Sequence, residues 1–92
     1  MLTAFVSLKV RRDSVNEIAA QLAGIPGISE VYSVAGRFDL TAIIRVRDCD
    51  DLAEIVTGKL LKFDGITDSE TQIAFRVHSQ HDLESMFSLG EA

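Results

Sequence analysis

The 92-residue sequence has no tryptophan, one proline and one cysteine, and its acidic residues outnumber its basic ones fourteen to nine. The lone Cys49 cannot form an intramolecular disulfide or a zinc framework, which fits a reducing, cytoplasmic setting. No apolar run approaches the roughly 20 residues of a membrane helix, and residues 1–9 carry no basic leader. A net charge of −5 argues against direct nucleic-acid binding, which calls for a basic face. Six glycines and 47% hydrophobic residues exclude a disordered or collagen-like chain. What remains is one small domain. Its mean hydropathy of +0.18 is high for a chain that buries only about two-thirds of its surface on folding, so part of the apolar surplus is expected to lie against another subunit.

The apolar pattern specifies the elements. Leu2, Ala4, Val6, Leu8 and Val10 alternate with Thr3, Phe5, Ser7 and Lys9, which is strand periodicity. Ser14 and Glu17 have the spacing of a capping box ahead of a helix with Val15, Ile18, Ala19 and Leu22 on one stripe. Gly24 and Pro26-Gly27 end that helix, and a second strand is expected over 28–35. Gly36-Arg37 fits a two-residue type II′ hairpin turn into a third strand over 38–47. Asp48 or Asp50 caps a second helix whose stripe is Leu52, Ile55, Val56, Leu60 and Phe63. Asp64-Gly65 closes it, and a fourth strand is expected over 66–77.

A shift of thirty-eight positions lays Thr3-Ala4 on Thr41-Ala42, Leu22 on Leu60 and Gly27-Ile28 on Gly65-Ile66. Two equal strand–helix–strand halves predict the α+β, ferredoxin-like βαββαβ fold, with the first and third strands central in an antiparallel four-stranded sheet. Both helices cover one face. The other face carries Thr3, Phe5, Ser7, Thr41 and Ile43, with a valine and Tyr32 from the second strand, and predicts a dimer packed sheet to sheet. Residues 1–78 form the expected domain. Residues 79–92 form an extension, where Ser79 and Asp82 resemble a capping box before Leu83, Met86 and Phe87.

No catalytic constellation is visible. Cys49 lies in an acidic run, where carboxylates raise a thiol pKa and blunt the nucleophile. That run reads better as a helix N-terminus, where negative charge meets the dipole. His78 and His81 lack a third ligand, so neither a metal nor another cofactor is expected. The hairpin is more informative. Backbone N–H groups at a glycine turn can receive a carboxylate, and Asp39 can accept from an ammonium, the pair a zwitterion needs. The alternative is an ordinary hairpin in which Gly36 supplies positive φ and Asp39 tidies the turn. Thr67, Ser69 and Thr71 alternate onto one face of the fourth strand, either to finish a polar pocket or as a solvated face.

The path Glu30-Val31-Tyr32-Ser33-Val34-Ala35-Gly36-Arg37-Phe38-Asp39-Leu40 resembles the V-x-x-V-T-G-x-Y-D signature of Lrp/AsnC transcription regulators. Gly65-Ile66-Thr67-Asp68-Ser69-Glu70-Thr71 is similar to the family's G-V-x-x-T-x-T run. The resemblance spans residues 2–77. It implies a ligand-binding (RAM) domain without the family's helix-turn-helix: a non-enzymatic module that binds an amino acid or similar effector near the interface between dimers. It also implies homodimers assembled into larger rings, and output through a partner such as a full-length family regulator, with no direct nucleic-acid or membrane contact. Carried over residue by residue, the site candidates are Gly36, Arg37, Phe38 and Asp39 with Ser69 and Thr71. Ala35 and Phe38 depart from the family's Thr and Tyr and remove two hydroxyls, so either the pocket is less polar or Arg37, a fork-shaped carboxylate binder, takes over part of the recognition. Two other readings stand beside this one: a small dimeric α+β barrel enzyme of monooxygenase type, and a structural oligomer with no ligand.

Overall fold

The computed structural model describes residues 1–80. Strand β1 (Leu2–Val10) leads into helix α1 (Val15–Ala23), strands β2 (Ile28–Ser33) and β3 (Leu40–Val46), helix α2 (Cys49–Val56), a 3₁₀ turn (Leu60–Lys62) and strand β4 (Ile66–Ile73). The strands form one antiparallel sheet in the order β2-β3-β1-β4, so the two most apolar strands are central, as expected. The helix-covered face holds the core: Ala4, Val6, Leu8, Leu40, Ala42 and Ile44 meet Ile18 and Leu22 of α1, Leu52 and Ile55 of α2, and Leu60.

Local chemistry departs from the expected boundaries at several places. Ser14 precedes α1, but its side chain caps nothing. Its hydroxyl donates to Asp13 Oδ1 at 3.1 Å and accepts from Arg11 Nη2 at 3.5 Å, so the capping box does not form. At α2 the cap is Asp48, which accepts from the Asp51 N–H at 2.9 Å, with Asp50 and Asp51 in the positive first turn. This helix ends at Val56 instead of continuing to Phe63. Thr57 Oγ1 bonds back to Ala53 O at 2.6 Å and Gly58 follows, a pair that bends and weakens a helix. Leu60 reaches the core through the 3₁₀ turn instead. Strand β4 stops at Ile73, short of Val77: Ile73 pairs with Ala4, and Ala74 N–H bonds Thr3 O.

Two bulges fall at equivalent points of the sequence repeat. Ser29 is the extra residue of β2 and Thr67 that of β4. Each hydroxyl reaches across to the neighbouring strand, Ser29 to Ile43 O at 3.1 Å and Thr67 to Lys9 O at 3.2 Å. On the uncovered face Phe5 sits between Ile43 and Gln72, and Ser7 between Thr41 and Glu70, with Tyr32 opposite Thr41. Phe5 is 36% and Tyr32 48% exposed. Val31 lies on the helix side against the core, while Val34, just past β2 and on the same alternation as Tyr32, is exposed. The 79–92 extension lies outside the described residues from position 81 onward.

Candidate functional site

The hairpin is wider than a two-residue turn. Ser33 pairs with Leu40, and Val34 N–H donates to Asp39 O at 3.0 Å, leaving residues 35–38 as the loop. Gly36 has φ of +120°, which L side chains rarely adopt, yet a Cβ there would meet nothing within 4 Å. Its glycine requirement is purely conformational.

Asp39 explains why the loop has this width. Its N–H donates to Leu8 O at 2.9 Å, and its Oδ2 accepts from Val10 N–H at 2.8 Å. The side chain thereby adds a rung to the β1–β3 ladder and holds the loop base against the end of β1. One carboxylate oxygen, Oδ1, accepts no hydrogen bond among the described residues. The negative charge is half-buried and held in a fixed direction. Lys9 Nζ reaches Arg37 O at 3.3 Å, a second tie between loop and β1. Arg37 lies 5.8 Å from the Phe38 ring centroid, at the outer limit of a cation–π contact, with its guanidinium exposed.

The β4 candidates stand across β1 from this loop. Ser69 pairs with Leu8 and Thr71 with Val6, so both point to the helix side. Ser69 N–H donates locally to Asp68 Oδ1 at 2.9 Å. Leu40, Leu8 and Ser69 occupy one row, which puts the loop base and Ser69 two strand spacings apart, about 10 Å. The structure thus brings Gly36, Arg37, Phe38 and Asp39 together in one loop and sets Ser69 at the same end of the sheet. Thr71, one same-face position further along β4, is exposed and apart from the loop.

Two clefts among the described residues are lined by other side chains. One, of about 590 Å³, lies along the open sheet face between Thr3, Phe5, Arg45, Phe75 and Val77. The other, of about 520 Å³, lies beside the 3₁₀ turn. Sequence reasoning missed the polar cluster on the open face. Tyr32 Oη donates to Glu30 Oε2 at 2.9 Å, and Arg45 Nη1 donates to Ser29 Oγ at 2.8 Å. The Glu30 carboxylate, accepting from the phenol and adding negative charge, raises the Tyr32 pKa above its ordinary 10.0. The signal available was the i,i+2 spacing of Glu30 and Tyr32 on one strand face. Among the described residues no group of three or more His, Cys, Asp or Glu could hold a metal, and no helix is long and apolar enough to cross a membrane.

A model of the Lrp/AsnC ligand binding domain matches residues 3–83. The chain belongs to the Lrp/AsnC family. An uncharacterized HTH-type transcriptional regulator of Pyrococcus horikoshii is 36% identical over 76 residues, covering 79% of this chain and 51% of that protein. The chain therefore spans about half the length of the curated relatives it matches. Among solved structures, the Thermus thermophilus protein TTHA0845 superposes with a TM-score of 0.82 at 38% identity, over 87% of this chain and 100% of that one. A Neisseria meningitidis transcriptional regulator solved with L-Met has the same fold, with a TM-score of 0.75 at 20% identity, over 86% of this chain and 54% of that one. The ferredoxin-like architecture is thus that of the Lrp/AsnC ligand-binding domain. Its signature hairpin is here the loop tied to β1 by Asp39.

Proposed function

We propose that this Lrp/AsnC domain is a non-enzymatic sensor that binds an amino acid at the Gly36–Asp39 loop and answers by changing its assembly. The observation that carries this reading is the Asp39 carboxylate, fixed by Val10 N–H with its second oxygen directed to no other group among the described residues. Such an oxygen suits a ligand ammonium, while Arg37 and the loop N–H groups suit the carboxylate of the same zwitterion. Ser69 offers a hydroxyl at the same end of the sheet, across β1 from the loop, and Thr71 offers one further along β4. The solved relative bound to L-Met lends support to an amino acid as the ligand class.

The loop is exposed and lines neither cleft of the single chain, so a second subunit completes the site. Phe5, Ile43 and Tyr32 give the open face the apolar character of a homodimer interface, with larger rings built from dimers. Residues 1–78 are the ligand-binding unit and 79–92 an extension to it. The relatives' names as transcriptional regulators fit output through DNA-binding members of the family, and the acidic charge fits action without direct nucleic-acid contact in the cytoplasm. Ligand at 100 times its dissociation constant stabilises the competent assembly by at most about 2.7 kcal/mol.

Light scattering after size-exclusion chromatography, with and without a mixture of the twenty amino acids, tests the reading. A dimer or larger ring whose mass or melting temperature responds to one amino acid supports it. A monomer indifferent to all twenty overturns it.

A further inference from the structure

On the side of the molecule away from the open sheet face, the end of α1 and the 3₁₀ turn flank a cleft of about 520 Å³ lined by Gln21, Ile25, Gly58, Lys59, Lys62 and Phe63. This volume is within the range of small-molecule sites. Its floor is apolar: Ile25 and Phe63 are half-buried and pack on the core. Its rim is cationic. Lys62 N–H donates to Lys59 O at 3.2 Å, the i,i+3 bond of a 3₁₀ turn, and residues so spaced eclipse one another. Both lysines line the cleft and are exposed.

Neither lysine forms an ion pair among the described residues, although the chain as a whole carries five excess negative charges. The carboxylate at the rim, Asp64, is already paired with Arg11 Nη1 at 3.3 Å. The carbonyls at the end of α1 are also taken: Gln21 O accepts from Gly24 N–H and Leu22 O from Ile25 N–H. The cleft thus offers two lysines without ion pairs among the described residues over an apolar floor, against one lining carboxylate, Asp64, that already faces Arg11.

We infer that this cleft binds a small carboxylate with an apolar body and no amino group, an aryl or branched-alkyl carboxylate. The apolar body covers Ile25 and Phe63, and the carboxylate lies between Lys59 and Lys62. A zwitterionic amino acid is disfavoured because its ammonium would stand beside the two lysines, with only the Arg11-paired Asp64 as acceptor. The site is separate from the hairpin and does not rest on the sensor reading given above.

The test is a titration of the isotopically labelled full chain with phenylacetate, followed by amide chemical shifts, beside phenethylamine and acetate. Phenylacetate is expected to shift the amides of Gln21, Ile25, Gly58, Lys59 and Phe63 in a saturable way, with acetate much weaker and phenethylamine inert. Replacing both cations (Lys59→Gln with Lys62→Gln) is expected to weaken phenylacetate by roughly tenfold or more, the scale of a lost charge-assisted contact. Both side chains are exposed, so the melting temperature should hardly move. Equal shifts from phenethylamine, unchanged affinity in the double variant, or no saturable shift at these amides overturns the proposal. Shifts confined to residues 35–39 would also overturn it, and would report the hairpin instead.

Discussion

Asp39 and Val10 are joined by a hydrogen bond from backbone N–H to carboxylate at 2.8 Å, twenty-nine residues apart in sequence. A side chain stands where the next strand residue's carbonyl would, so β3 gains a rung before it begins. On the proposed reading, structure and recognition meet in one carboxyl group. Replacing Asp39 with Ala strands the half-buried Val10 N–H and should cost about 1–3 kcal/mol in urea unfolding. Asp39→Asn keeps an acceptor oxygen for Val10 but discards the charge. It should retain most of the stability while losing ligand affinity, measured by calorimetry.

Gly36 tests the loop without touching the core. Its φ of +120° strains any L residue, and the space around it is empty. Gly36→Val should therefore cost about 1–3 kcal/mol through backbone strain alone. It should abolish amino-acid binding while the mass measured by light scattering stays that of the parent protein.

Phe5 lies at the centre of the open face between Ile43 and Gln72. A charge there has no effect on the helix-side core, since the side chain points away from it. If the open face is the proposed dimer interface, Phe5→Glu should give a species of smaller mass than the parent with an unchanged far-ultraviolet circular dichroism spectrum. An oligomer of unaltered mass would place the interface elsewhere.

The pair Arg47–Asp51 at the start of α2 gives a pH signature. Arg47 Nε donates to Asp51 Oδ2 at 3.0 Å and holds that carboxyl below its ordinary 3.8. A lowered carboxyl pKa makes a contribution that is complete above 3.8 and disappears as the pH falls through the lower folded value. Carboxyl titration by nuclear magnetic resonance should show the Asp51 midpoint below 3.8 in the parent and moving up toward it in Arg47→Gln.

The repeat and the alternation were enough to read the architecture. Leu2 to Val10 could only be a strand half-covered by other elements, and the halves thirty-eight residues apart could only close on each other with β1 and β3 in the middle. Local patterns failed where a distant or competing partner decided the outcome. The loop width depended on Asp39 reaching β1, which no hairpin rule of adjacent residues contains. Ser14 was diverted by Arg11 and Asp13, and α2 was cut short by the Thr57 hydroxyl. The family signature identified which loop to inspect. It could not show that Ser69 and Thr71 would lie across an intervening strand from that loop.

The two bulges, at Ser29 and Thr67, bear on how this chain behaves when crowded. They sit on β2 and β4, the two outermost strands, and each interrupts the row of backbone groups that an incoming strand would need to match. Asp68 and Glu70 add like charges along the β4 rim, so two such rims repel. Growth by strand addition, the route to fibrils, is thereby obstructed at both margins of the sheet. Contact between copies of this domain is therefore favoured at the broad faces over the margins.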